Sequence, residues 1–133
     1  MKKLLLMSVI TLMLGATSVH AKCEGGVEFQ GAINGHTYCI SSAPMTWWAA
    51  FAWCEFQGRE LASMEQLCPN WGGGFGTNAC PNMNAFSQEI PVWSANFFDT
   101  YGAVYVWPSK GEIHNSSMNT SRSRNGSLWA ICY

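Results

Sequence analysis

The sequence contains little charge, and least of all positive charge. Charged residues make up 11% of the chain, and after residue 21 five lysines and arginines stand against eight aspartates and glutamates, a net charge of −3. Strong nucleic-acid binding requires a basic surface, so we expect no nucleic-acid partner. Residues 22–133 also lack any apolar run near the roughly 20 residues that a membrane-spanning helix needs, which predicts no membrane span.

One apolar run does occur, at the start of the chain. Two lysines precede the segment LLLMSVITLMLGA, and Val19 and Ala21 follow as small residues at the spacing of a cleavage site. This is the pattern of a secretory signal peptide. We therefore predict a signal peptide over 1–21, one domain over 22–133, and a secreted or periplasmic location. Cys23 leaves a lipoprotein open as an alternative, although Lys22 stands where lipid attachment favours a small residue.

The six cysteines lack the CxxC spacing of zinc sites, and all of them follow residue 21. An even number of cysteines in a secreted chain predicts disulfides. Cys54 and Cys132 lie in apolar, aromatic segments, which favours a bond between them. Cys68 and Cys80 bracket the first half of the glycine- and proline-rich stretch 69–91, which lacks periodicity and is predicted to be one long loop. A local bridge would tether that loop.

Two helices are predicted, over 45–57 and 64–68. Thr46 is placed to cap the first helix, and Gly58 follows where a left-handed residue ends a helix. The second helix begins at Ser63 with the sequence SMEQ, a capping box. This helix is expected to be short because the Cys68-Pro69 pair ends it.

The remaining segments predict strands. Strands are expected over 92–95 and 103–107, with a returning hairpin arm at 112–114. Residues 115–126 have almost no apolar side chains, which predicts an exposed loop. The last segment, 127–133, is apolar on both of its alternating faces, so we expect it to lie at the centre of a sheet.

These segments together resemble the C-type lectin-like domain, and they resemble its compact bacterial versions more than the animal lectins. The motifs that carry the resemblance span almost all of 22–133; they are Tyr38-Cys39, Trp47 with Cys54, Gly58 with Leu61-Ala62-Ser63, and Ile131-Cys132. The resemblance implies an α+β fold with two helices flanking a short antiparallel sheet, a long loop region and three disulfides. In this sequence those disulfides would be Cys23–Cys39, Cys54–Cys132 and Cys68–Cys80.

The calcium ligands of the sugar-binding members of that family are missing. Where those members have Glu-Pro-Asn or Gln-Pro-Asp, this chain has Cys80-Pro81-Asn82, and where they have Trp-Asn-Asp it has Trp93-Ser94-Ala95-Asn96. Calcium takes roughly six to eight oxygen ligands, several of them carboxylates. Between residues 66 and 111 the acidic residues are Glu89 and Asp99 alone. We therefore predict no metal and no cofactor.

The predicted function is recognition of a glycan or of a surface or envelope protein, without calcium. Exposed aromatic rings beside amides and guanidinium groups suit sugars and proteins alike. The candidate ligand-binding residues are Trp71, Phe75, Phe97, Asp99, Asn119, Arg122, Arg124 and Asn125, with Phe98 and Asn115 beside them. A plainer interpretation is that Trp71 and Phe75 fold inward to form a small core for the loop, and that the two arginines are solvated.

Two other classes of function are weighed against recognition. An assembly component of an envelope or pilus-type complex would expose an apolar patch, which we place around Phe97, Phe98 and Trp107, whereas a glycan binder would carry a concave polar and aromatic site. An enzyme is not expected, because His36 and His114 are not accompanied by a nucleophile at a recognisable spacing.

Overall fold

The computed structural model of the chain describes residues 21–30, 35–80, 90–124 and 126–133. The predicted signal peptide over 1–21 lies outside them except for its last residue, as do residues 81–89 of the predicted long loop. The main body is a six-stranded sheet in the order β1-β2-β8-β3-β4-β5. Its strands are β1 Gly26–Gln30, β2 Thr37–Pro44, β3 Val92–Phe97, β4 Gly102–Trp107, β5 Glu112–Ser117 and β8 Trp129–Cys132. The two-residue strands β6 Arg122–Ser123 and β7 Gly126–Ser127 form a separate hairpin.

The predicted architecture, a C-type lectin-like fold in which two helices flank a short antiparallel sheet, is wrong. The sheet dominates the described structure, and it is mixed, because β8 runs parallel to β3 while the other neighbouring strands are antiparallel. The helices are short: α1 spans the ten residues Trp47–Phe56 and α2 the four residues Met64–Leu67. The sheet is larger than expected because its extent is set by the backbone. Buried N–H and C=O groups need hydrogen-bond partners regardless of the side chains.

Both helices begin as the sequence predicts. The Thr46 hydroxyl accepts a hydrogen bond from the Ala49 amide at 3.2 Å, and the backbone turns to a φ of +67° at Gly58 after α1. At α2 the complete capping box is present, with Ser63 and Gln66 bonding each other's amides. No helix within the described residues is long and apolar enough to cross a membrane.

Strand β8 lies inside the sheet between β2 and β3, as predicted, and both of its faces are buried. Because successive side chains of β8 point to opposite faces of the sheet, this segment contributes to two separate cores. Ile131 belongs to a first core that also holds Tyr38, Met64, Leu67, Val92, Val104 and Ile113. Leu128, Ala130 and Cys132 belong to a second core that also holds Trp47, Cys54, Trp93 and Tyr105.

All six cysteines are paired, and the prediction of three disulfides is confirmed. Cys54–Cys132 joins α1 to β8 across a sequence separation of 78 residues. Cys23–Cys39 ties the segment before β1 to β2, with a separation of 16, and Cys68–Cys80 closes the segment after α2, with a separation of 12. These are the pairs that the resemblance implied.

The prediction of an exposed loop over 115–126 is also wrong. Strand β5 continues to Ser117, and the β6–β7 hairpin follows. In β5 the polar residues 115–117 pair with Val104, Ala103 and Gly102 of β4. Pairing with a buried central strand is a backbone interaction, so it extends into a segment whose side chains carry no strand signal.

Candidate ligand-binding cleft at the edge of the sheet

In the part of the chain that the structure describes, the edge of the sheet at β5 is only partly covered. Gly76 forms a two-way bridge with Ile113: the Gly76 amide donates to the Ile113 carbonyl at 2.7 Å, and the Ile113 amide donates to the Gly76 carbonyl at 3.1 Å. In an antiparallel strand the backbone groups alternate between the two sides, residue by residue. Since Ile113 directs its groups outward, Asn115 does the same, and its amide and carbonyl lie on the sheet edge just beyond Gly76, where none of the described strands pairs with them.

A cleft of about 410 Å³ opens at this edge, lined by Phe75, Gly76, His114, Asn115 and Arg124. Its volume falls at the small end of the roughly 300–1,000 Å³ typical of ligand sites. Three chain segments contribute to it, namely the segment inside the Cys68–Cys80 bridge, the edge strand β5, and the turn after β6. The cleft is therefore built on a rigid strand and completed by two turns.

The polar wall of the cleft is a chain of three side chains. Arg124 Nη2 lies 2.8 Å from His114 Nδ1, and His114 Nε2 lies 3.0 Å from Glu112 Oε2. A guanidinium group can only donate hydrogen bonds, so His114 Nδ1 must accept, which places the imidazole proton of the neutral ring on Nε2. That proton is donated to the Glu112 carboxylate. The arrangement fixes both the tautomer of His114 and one edge of the guanidinium.

This chain of side chains orients a cation and does not activate a nucleophile. In a hydrolase of the Ser-His-Asp type, the imidazole nitrogen opposite the carboxylate faces a hydroxyl or thiol whose proton it takes. Here that position, Nδ1 of His114, faces Arg124, which does not give up a proton in proteins. Burial supports the orienting role, because the His114 side chain is 11% exposed and packs against the Tyr105 ring with 5.6 Å between ring centroids.

The apolar wall of the cleft is Phe75, whose ring is 42% exposed. It makes edge-to-face contacts with Trp71 and Phe98, with 6.1 and 5.3 Å between the ring centroids. Trp71 is half-buried against the first core, and its indole Nε1 donates to the Gly74 carbonyl at 2.7 Å. Trp71 thus folds inward and supports the ring of Phe75, which stays open to solvent.

Of the predicted ligand-binding residues, Phe75 and Arg124 line the cleft and Trp71 lies behind it. Phe97, Asp99, Asn119 and Arg122 do not line it. Asp99 accepts from the amides of Tyr101 and Gly102 at 2.8 and 2.7 Å, which makes it a turn residue between β3 and β4. Phe97 packs on Trp47 and belongs to the aromatic surface described below. Asn119 and Arg122 are exposed elsewhere, and Asn125 lies outside the described residues.

Sequence reasoning missed His114 as a binding-site residue, and Glu112 with it. A signal was present, because the alternation of a strand places residues 112 and 114 on the same face. Their significance depends on Arg124, which reaches them from another hairpin. No local pattern in the sequence encodes that contact.

A second exposed feature is apolar. The rings of Trp48, Phe51 and Phe97 are 54%, 41% and 61% exposed and surround the buried Trp47, and we call these three rings the aromatic surface. Trp47 lies 5.0, 5.5 and 5.1 Å from them between ring centroids. The predicted patch around Phe97, Phe98 and Trp107 is therefore centred on α1 instead. Trp107 is half-buried, and Lys110 Nζ lies 4.0 Å from its ring centre.

In the ranges that the structure describes, no three histidine, cysteine, aspartate or glutamate side chains are grouped as a metal site requires. The absence of calcium and of cofactors stays a prediction.

Comparison of the chain with models of known protein families found no match, and comparison with curated proteins found none either. The resemblance to C-type lectin-like domains stays a prediction from the sequence.

Proposed function

We propose that this protein is a recognition module, secreted or periplasmic, that binds a glycan in the cleft at the β5 edge without calcium. The observation that carries the proposal is the composition of one concave site: an exposed aromatic ring, Phe75, opposite polar groups of Asn115 and Arg124. A sugar ring presents an apolar face and a rim of hydroxyl groups. The aromatic wall matches the face, and the amide and guanidinium groups match the rim.

Two further features support the proposal. The three disulfides are typical of proteins that work in oxidising compartments outside the cytoplasm. Two turns form part of the cleft, and each is held in place, the first by the Cys68–Cys80 bridge and the Gly76–Ile113 pairing, the second by the contact of Arg124 with His114. A preformed site loses little conformational entropy when it binds.

A glycan array probed with the oxidised protein tests the proposal. We expect binding that persists in the presence of a chelator. Phe75→Ala should weaken it by about tenfold or more, since truncating an aromatic anchor at the centre of an interface typically costs about 2 kcal/mol or more. Phe51→Ala is the matched control, because Phe51 has almost the same exposure, 41%, and lies outside the cleft. Binding that disappears with chelator, or that survives Phe75→Ala unchanged, would contradict the proposal.

The aromatic surface favours a second candidate function, that of a component in an envelope or pilus-type assembly. Three large rings exposed around one buried tryptophan form the kind of patch that isolated soluble proteins rarely leave uncovered. If this surface carries the function, an envelope protein that co-purifies with the native chain should be lost from Phe97→Ser and retained by Phe75→Ala. Loss from Phe75→Ala alone would assign the partner to the cleft.

A further inference from the structure

The two arginines with described side-chain contacts are used in different ways. Arg59 is a structural residue: its side chain is 7% exposed, and its three nitrogens donate to the carbonyls of Lys22 and Thr37 and to the carboxylate of Glu28. Arg124 is exposed. Within the described parts of the chain its side chain makes one hydrogen bond, from Nη2 to His114. A guanidinium group has five N–H donors, so Arg124 keeps most of its donors for a ligand.

The bond to His114 sets the direction of those donors. A free arginine side chain explores many rotamers, and ordering one on binding costs conformational entropy. Here His114 is buried and its ring is fixed on the far side by Glu112, so the guanidinium is held by one corner before any ligand arrives. The remaining N–H donors of the guanidinium still form a planar fork. A fork of this kind binds a carboxylate through two parallel hydrogen bonds.

The charge balance of the cleft limits the ligand to a small negative charge. Among the described lining residues Arg124 is the one cation, His114 is neutral while it accepts from Arg124, and Glu112 stands directly behind. The whole chain carries a formal charge of −1. A polyanion would meet one positive charge with the Glu112 carboxylate behind it, whereas a single carboxylate is matched by a single guanidinium.

We propose that the glycan bound in the cleft is an acidic sugar, whose carboxylate is received by Arg124 while its ring lies on Phe75. Glu112 and His114 are positioning residues that hold Arg124 in the receiving orientation. The outward-directed amide of Asn115 offers a further donor at the same edge. This inference rests on the proposed function and narrows the ligand from glycans in general to those with a carboxylate.

Matched sugars test the inference by NMR titration of the oxidised protein. The probes are methyl glycosides of hexuronic acids with gluco, galacto and manno configuration, each compared with its methyl ester, its parent hexose and the 6-sulfate of that hexose. We expect at least one acid to bind about tenfold or more tightly than its own ester, a factor typical of losing a charge-assisted hydrogen bond. The amide signals of Gly76 and Asn115 should shift during the titration.

Three variants assign the preference to Arg124. Arg124→Gln should abolish the difference between acid and ester, and Arg124→Lys should keep part of it, because lysine retains the charge and loses the fork. Arg122→Gln is the control, since it removes the same charge from the same hairpin outside the cleft, and it should leave the difference intact. An Arg122→Gln effect as large as that of Arg124→Gln would overturn the assignment, since it would show a general charge effect.

The positioning role has its own readout. His114→Leu should reduce the preference for acid over ester by more than it weakens binding of the parent hexose. His114→Gln, whose amide oxygen can accept from Arg124, should retain more of that preference. Equal loss in both variants would overturn the role of the Nδ1 acceptor.

The outcomes separate the two proposals. If the acids and their parent hexoses bind equally well at the cleft, glycan recognition stands and the acidic ligand is refuted. If the 6-sulfates bind as tightly as the acids, the specificity for a carboxylate is refuted. If none of these sugars shifts a cleft signal and glycan arrays are also blank, both proposals fail.

Discussion

The Cys68–Cys80 bridge gives the sharpest test of how this fold holds its cleft. The bridge closes a separation of 12 residues, and inside that segment Gly76 pairs with Ile113 at the edge of the sheet. In the chain-entropy model a loop of this length corresponds to about 3 kcal/mol. The double variant Cys68→Ala/Cys80→Ala should therefore weaken the closed state of the segment by about that amount. Each 1.4 kcal/mol is about tenfold, so the loss corresponds to roughly a hundredfold increase in local opening.

Hydrogen exchange of single amides measures this opening without any ligand. The Gly76 amide reports on the bridged segment, and the Ala62 amide, which donates to Ile131 at 2.9 Å, reports on the first core. In Cys68→Ala/Cys80→Ala the exchange rate of Gly76 itself should rise by about a hundredfold, while Ala62 reports how far the whole domain is destabilised. Far-UV circular dichroism should show that the sheet is retained.

The other short bridge provides the control. Cys23–Cys39 closes a separation of 16 residues, for which the same model also gives about 3 kcal/mol. Cys23→Ala/Cys39→Ala should lower the free energy of unfolding by a similar amount without raising the exchange rate of Gly76, which opens locally. A Gly76 exchange rate that rises equally in both variants, or in neither, would refute the claim that the Cys68–Cys80 bridge acts locally on the cleft.

Three further predictions concern stability and are measured by urea denaturation. Ser94→Ala should lower the free energy of unfolding by about 1–3 kcal/mol, because the fully buried Ser94 hydroxyl donates to the Val104 carbonyl at 2.9 Å and that acceptor would be left unpaired; an unchanged midpoint would contradict this. Gly111→Ala should be destabilising by at least about 1 kcal/mol, since its φ is +60° and an added Cβ would lie 2.6 Å from the Cys80 carbonyl oxygen; a stabilised variant would show that the turn relaxes freely. Ser63→Ala should lose about 0.5–2 kcal/mol with the capping box, whereas Ser63→Asp should lose little; equal losses would argue against a capping role.

The parts of the fold that could be predicted are those encoded locally. Thr46 and Ser63 cap their helices through residues three positions away, and the alternation of the last strand assigns its two faces without any knowledge of its neighbours. Gly58 ends α1 with the left-handed conformation that its position indicates. In each case the physical cause and the sequence signal lie within a few residues of each other.

The remainder depends on contacts that are distant along the chain. Polar residues of β5 join the sheet because β4 offers them backbone partners, and the parallel pairing of β3 with β8 follows from how the chain crosses the sheet. The cleft shows the same limit. Phe75 and Arg124 could be named from their residue types, but so could Phe97 and Asp99, and only the fold brings the first two to one site.

The position of β8 has a consequence for the order in which the native bonds can form. Cys132 is the last of the six cysteines to leave the ribosome, and its partner Cys54 lies in a helix made much earlier. Until β8 has been synthesised, β2 and β3 have no strand between them and Cys54 has no native partner. Once the chain is in an oxidising compartment, and until β8 has docked, the Cys54 thiol can exchange with short bridges that have already closed, since a free thiolate attacks existing disulfides. The yield of correctly bonded protein should therefore depend strongly on a disulfide isomerase. The short sequence separations of the other two bridges would not by themselves indicate this dependence.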